Sequence, residues 1–144
     1  MLFRSIINHL QDCQEDYRNL DRVYIPQDAL AACGTSVEAL NAPQASPSLL
    51  QCLHGLAERT ERLLRDSDDF PVLINDWRLG LEVSVINTLA HRLTHILMQR
   101  DPLSDRVHLP ASAVASFTLA GIIGGTSRRL GRRFSTASQK PRGA

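Results

Sequence analysis

Between residues 3 and 19, apolar and polar positions alternate at helical spacing. At about 100° per residue, Ile6, Leu10, Cys13 and Tyr17 fall on one face and Asn8, Asp12, Glu15 and Asp16 on the opposite one. The pattern predicts an amphipathic helix. The run Asp21-Arg22-Val23-Tyr24-Ile25-Pro26 reads as a short extended exit, because Pro26 biases Ile25 away from helix. Gln27 to Cys33 predicts a short helix closed by Gly34 at a C-cap position. Thr35 or Ser36 can cap a further turn through Leu40. After a loop from Asn41 to Ser46, serine followed by Pro47 makes a strong helix start. The helix it opens runs to about Arg65, with Leu49, Leu50, Leu53, Leu56, Ala57, Leu63 and Leu64 as its apolar set. Glu58 with Arg62 and Glu61 with Arg65 stand at the favourable spacing of four.

A polar loop is expected from Asp66 to Pro71. A third long helix follows, from Asn75 or Asp76 to Arg100, with Leu81, Val85, Leu89, Arg92 and Ile96 along one stripe. Asp101-Pro102 ends it, and Leu103 to Leu109 connects to a last helix over Ala111 to Leu130. Gly121, Gly124 and Gly125 weaken that helix, and Gly-Ile-Ile-Gly-Gly reads as a helix break rather than a phosphate cradle. No strand-like alternation and no repeat occurs, so the fold class is all-α, helices packed as a bundle.

Composition supports that picture. The chain has 144 residues, enough for one domain with a real core, and aromatics make up only 5%. The core must therefore be built from Leu, Val, Ile and Ala. Cys13, Cys33 and Cys52 are odd in number, widely spaced and without a CxxC pair, which argues for free thiols in a reducing compartment and against a cysteine zinc site. The most apolar stretch, Ala113 to Gly125, is too short to span a bilayer. Charge is lopsided: every acid lies at or before Asp105, whereas Arg128, Arg129, Arg132, Arg133, Lys140 and Arg142 follow it. This basic end reads either as a frayed, solubilising terminus or as a contact for anionic lipid headgroups. It lacks interleaved aromatics apart from Phe134, so no nucleic-acid partner is expected.

The chemistry concentrates in the first helix. Asp12 and Asp16 lie one turn apart on one face, flanked by Asn8 and Glu15. Grouped oxygen ligands suit magnesium, which shares its carboxylates with substrate phosphates and water. Spacing alone describes an ordinary solvated acidic face equally well. Asp66-Ser67-Asp68-Asp69 reads as a solvated turn, and His91 with His95 as ordinary helix-surface or partly packed histidines rather than zinc ligands.

A longer pattern separates the first helix from such faces. Asn8-His9-Leu10-Gln11-Asp12-Cys13-Gln14-Glu15-Asp16, with the exit Arg22-Val23-Tyr24-Ile25-Pro26, resembles the second aspartate-rich region of squalene and phytoene synthases. In that family an Asn-x-x-x-Asp-x-x-x-Asp helix faces a central cavity and leads into an Arg-x-Tyr/Phe-x-Pro exit. Asp76-Trp77 and Arg100 to Leu109 also look like the family's last third. Gln11, where most members have arginine, is similar to the bacterial hopanoid-pathway branch, the hydroxysqualene synthases.

The resemblance implies a partial isoprenoid-synthase helical bundle. Residues 1–110 would form the C-terminal half of a squalene/phytoene synthase domain, 111–130 a terminal helix and 131–144 a basic, disordered tail. It implies Mg2+ held by Asp12, Asp16 and Glu15, substrate binding by Asn8 and Arg22, and catalytic roles for Arg22 and Tyr24. The substrate would be a prenyl diphosphate, presqualene or farnesyl diphosphate. The expected reaction is conversion of presqualene diphosphate to hydroxysqualene. A condensing squalene or phytoene synthase fragment, or a non-catalytic helical remnant or assembly module, are the alternatives. The family's first aspartate pair has no counterpart here, so a truncated chain with a missing N-terminal half, inactive alone, is expected. The expected location is the cytoplasm, with peripheral contact at the inner membrane face.

Overall fold

Where the hydrophobic pattern predicts one helix over residues 3–19, the backbone makes two. The computed structural model describes residues 2–105 and 111–138. Within it, α1 (Leu2–Gln11) and α2 (Cys13–Leu20) meet at Asp12. Then come α3 (Gln27–Ala32), a 3-10 turn (Val37–Asn41), α4 (Pro47–Asp66), α5 (Phe70–Leu73), α6 (Trp77–Leu97) and α7 (Ala111–Ser138). The described residues contain no strand. The all-α expectation holds.

The chain divides into two compact units. The first is Met1–Asp66 with Ala90–Leu109, and the second is Ser67–Leu89 with Pro110–Ala144. In the first, Ile7, Leu10 and Cys13 from α1 and α2 pack with Leu30, Leu40, Leu49, Leu53, Ala57 and Leu64 in one buried cluster. Each fully buried leucine contributes roughly 1.5–3 kcal/mol. The exposed Glu61–Arg65 pair, 3.2 Å apart, is worth well under about 1 kcal/mol, so burial rather than ion pairing fixes α4. That helix starts as its sequence demands: the Leu49 N–H donates to Ser46 Oγ at 3.2 Å, with Pro47 in the first helical position. Gly34 adopts φ +68° just after α3, the left-handed conformation a helix stop favours.

Asp101 ties the two ends of this unit together. It accepts from the Ala45 N–H (2.9 Å), the Leu103 N–H (2.9 Å) and the Ser104 hydroxyl (3.1 Å). This places the acid of Arg100-Asp101-Pro102 in a structural role. Residues 106–109 of the connector lie outside the described residues.

Several expectations need correction. Leu63, placed in the apolar set of α4, is 51% exposed. On α6 the buried positions are Gly80, Val83, Ser84, Asn87, Ala90, Thr94 and Leu97, not the stripe through Leu81, Val85, Leu89, Arg92 and Ile96. Hydropathy missed this face because its hydroxyls satisfy themselves locally. Ser84 donates to the Gly80 carbonyl and Thr94 to the Ala90 carbonyl, at 2.9 and 2.8 Å, so burial leaves no orphaned donor. The helix is capped by Asp76, whose Oδ1 accepts from the Arg78 and Leu79 N–H groups. It ends at Leu97, three residues before the expected Arg100. Phe70 and Pro71, expected in a loop, open the one-turn helix α5.

The glycine run does not break the last helix. In the second unit, α7 passes through it and continues beyond Leu130 to Ser138. A Cβ on Gly121 would lie 2.7 Å from Val85 Cα, and one on Gly125 would lie 2.7 Å from Ser84 Oγ. The two glycines, one turn apart, are what lets α7 approach α6 this closely.

Candidate active site

At Asp12 the backbone leaves helical geometry (φ −101°, ψ 11°), with neither proline nor glycine to cause it. The hydrogen-bond ladder nevertheless runs through. The Asp12 N–H donates to the Asn8 carbonyl at 2.9 Å and the Asp16 N–H to the Asp12 carbonyl at 2.8 Å. Asn8, Asp12 and Asp16 thus remain one hydrogen-bonded turn apart despite the bend. Asp12 and Asp16 are half-buried, and Asn8 and Glu15 are exposed. The opposite flank is anchored: Gln14 Nε2 donates to the Leu40 and Ala42 carbonyls, and Arg18 grips Asn41 through its side-chain oxygen and its carbonyl.

Cys13, beside Asp12, faces the core, and burial pushes its thiol up to about 12. Cys52 is likewise raised to about 11, first by burial and then by neighbouring Cys33. Protonated, buried thiols are poor nucleophiles and poor metal ligands, which leaves the chemistry to oxygen and nitrogen groups.

The exit is coupled to the stripe through one residue. Asp21 takes the left-handed conformation (φ 50°, ψ 43°) that ends α2. Its N–H and that of Arg22 both donate to the Asp16 carbonyl, the latter at 3.1 Å. The chain then doubles back so that the Tyr24 ring stacks on His9, centroids 3.7 Å apart and planes 18° apart. His9 Nδ1 in turn lies 3.4 Å from Asp16 Oδ2. Tyr24, His9 and Asp16 form one connected row, while the Arg22 side chain is exposed.

Below this row lies a groove of about 260 Å³. Ile6, Leu10, Ile25, Pro26, Leu56 and Leu63 make its apolar wall, and His9, Tyr24, Arg59 and Thr60 supply polar groups. The Thr60 hydroxyl is spent on the Leu56 carbonyl at 2.9 Å. Leu63 is exposed because it borders this groove rather than the core.

The structure therefore keeps Asn8, Asp12 and Asp16 on one backbone ladder and brings Tyr24 to it through His9. Glu15 does not complete a cage with the two aspartates: among the described residues no group of three or more His, Cys, Asp or Glu side chains is arranged to hold a metal. Two hard carboxylates one turn apart still suit a magnesium ion that completes its shell with phosphate and water oxygens. His91 is partly buried and His95 exposed. His91 Nδ1 meets Glu61 at 3.0 Å, and His95 pairs with Gln99 at 3.1 Å. Sequence reasoning missed His9 and Arg59. His9 stands two turns before Asp16, a spacing that puts both on one face, so a signal existed. Arg59 had none, since only the packing of α4 against α1 brings it to the groove.

Residues 3–113 match the squalene/phytoene synthase family profile. The chain is 57% identical over 105 residues to a hydroxysqualene synthase of Rhodopseudomonas palustris, covering 73% of this chain and 36% of the relative. It is 42% identical over 135 residues to a hydroxysqualene synthase of Sinorhizobium fredii, covering 92% and 46%. A hydroxysqualene synthase of Zymomonas mobilis is 48% identical over 104 residues, covering 72% and 35%. The chain thus spans between about a third and a half of the length of these relatives. No solved structure matches. With residues 3–113 matched by that profile and relatives up to 57% identical, the chain belongs to the squalene/phytoene synthase family.

Proposed function

We propose that this chain supplies one side of the catalytic cavity of an enzyme converting presqualene diphosphate to hydroxysqualene. The observation that carries the reading is the unbroken turn-by-turn ladder Asn8–Asp12–Asp16, joined through the Asp16 carbonyl to the Arg22–Tyr24 exit. In this reading Asp12 and Asp16 would hold magnesium, with the exposed Glu15 beside them as a further carboxylate. When bound, the ion neutralises charge on the departing diphosphate. Asn8 and Arg22 donate hydrogen bonds to the diphosphate oxygens. Tyr24, held by His9, presents its ring face to the carbocation left behind, an attraction of the cation–π kind. The apolar groove takes hydrocarbon and limits water to the molecule that captures the cation.

One carboxylate helix is half a clamp, and no turnover is expected from the 144 residues alone. The test gives presqualene diphosphate and magnesium to the purified chain, alone and mixed with the unmatched part of the Rhodopseudomonas palustris relative. Hydroxysqualene is expected only from the mixture. Full turnover by the chain alone overturns the half-site reading. Squalene or phytoene as product favours a condensing or reductive relative instead. A peripheral position at the inner membrane face, suggested by the basic end, is part of the same proposal.

A second reading, a non-catalytic assembly module, draws on the exposed Phe70, Leu73 and Trp77 in the second unit. Stable complex formation without product in the same mixture would support it.

A further inference from the structure

One side chain joins the two ends of the candidate site. His9 lines the groove and touches both Tyr24 and Asp16. The two contacts use different parts of the imidazole. Its edge reaches Asp16, Nδ1 standing 3.4 Å from Oδ2. Its face carries the Tyr24 ring, centroids 3.7 Å apart and planes within 18°. A carboxylate oxygen can only accept, so the Nδ1–H is the donor.

Neither partner is set by its own stretch of backbone. At the rise of an α-helix, positions 9 and 16 stand about 10 Å apart along the axis, so the two side chains meet by reaching towards each other across the bend at Asp12. Tyr24 lies in the extended exit and is 45% exposed, whereas Ile25 after it is buried. Ile25 anchors the exit to the core, and the stack on His9 then fixes where the phenol ring sits. On the acid, His9 engages Oδ2, and Oδ1 is the oxygen left to face a cation. Hydrogen bonds of this kind orient a ligating carboxylate.

We infer that His9 is a positioning residue with two separable actions: its Nδ1–H orients the Asp16 carboxylate for the metal, and its ring face holds Tyr24 at the groove. The inference rests on the proposed reading, in which Asp16 holds magnesium and Tyr24 faces the carbocation. It adds that a single imidazole sets the spacing between the two. An aromatic face and an N–H donor are needed in one side chain. His9→Phe keeps the face and loses the donor, and His9→Asn keeps a donor where Nδ1 stands and loses the face.

The test uses these two variants in the full 144-residue chain, with helical circular dichroism matching the parent. Proton NMR of the parent should show the His9 ring signals displaced upfield by the stacked phenol, and Tyr24→Leu should return them. Manganese(II), which takes the same oxygen ligands as magnesium, should broaden the Asp12 and Asp16 amide signals. The concentration needed should rise about 10- to 100-fold in His9→Phe and far less in His9→Asn. In the reconstituted mixture at saturating magnesium the order reverses: His9→Asn should lower kcat about 10-fold, and His9→Phe should lower it less. Ring signals indifferent to Tyr24→Leu, or variants that lose metal and turnover alike, overturn the inference. A parent mixture that makes no hydroxysqualene while the ring and manganese signals behave as stated overturns the proposed reaction and leaves the positioning role of His9 standing.

Discussion

Two residue pairs spaced by four, Asp12/Asp16 and Gly121/Gly125, show how differently the same interval can be used. Each pair shares one face of a helix, one turn apart. The aspartates sit at a helix bend, half-buried, with the ladder kept intact beneath them. The glycines are buried, and their missing side chains are the contact: an added Cβ would come within 2.7 Å of α6. One pair presents atoms to a ligand and the other removes atoms to admit a neighbour. Substitution should therefore hurt function in the first case and stability in the second.

The largest effect is expected from Asp12→Asn or Asp16→Asn in the reconstituted enzyme. Each should lower magnesium-dependent turnover about 100-fold or more, the usual cost of losing one group that stabilises developing charge. Each should leave the unfolding free energy within about 1 kcal/mol of the parent, because the amide fills the space of the half-buried carboxylate it replaces. Unchanged turnover would reduce the aspartates to a solvated face. Gly121→Val should act in reverse, costing about 1–3 kcal/mol through overpacking against the Val85 backbone, as read by urea unfolding. No loss would mean that α7 does not press on α6.

Cys13 tests the buried flank of the aspartate helix. Its folded-state value is raised to about 12 from 9.0. Below pH 9 both states keep the proton and its contribution is fully present. Between 9 and 12 only the unfolded chain ionises, so stability falls by up to about 1.4 kcal/mol per pH unit. Unfolding midpoints between pH 8 and 10.5 should show this decline, and Cys13→Ala should flatten it. A slope unchanged by Cys13→Ala would show that the thiol is not buried.

The smallest effects are stabilising. Asp21→Gly removes the cost of a side chain in the left-handed region, a gain of up to about 1 kcal/mol. Gly124→Ala, whose Cβ would meet nothing closer than 3.8 Å, should gain about 0.5–1 kcal/mol from helix propensity. Opposite signs at Gly121 and Gly124, three residues apart, would be the sharpest evidence that contact rather than composition defines the glycine pair.

Much of this was legible in the sequence, and the failures have physical causes. The Ser46-Pro47 start, the Gly34 stop and the apolar face of Ile6, Leu10 and Cys13 are local signals, set by hydrogen bonds and periodicity within a few residues. The buried face of α6 was misread because hydropathy counts Ser84 and Thr94 as polar, whereas each spends its hydroxyl on its own helix. The bend at Asp12 has no local marker, and Leu63 looked like core because it lines a groove that only packing creates.

The sequence by itself determined the all-α class, the carboxylate spacing and the family, because these depend on residue identity at short intervals along the chain. Tertiary structure alone decided that Tyr24 folds back onto His9, that Arg59 reaches the groove, and that the glycines join helices instead of ending one. Those features arise between elements that helical spacing does not link, where burial and close approach, rather than local preference, set the energy.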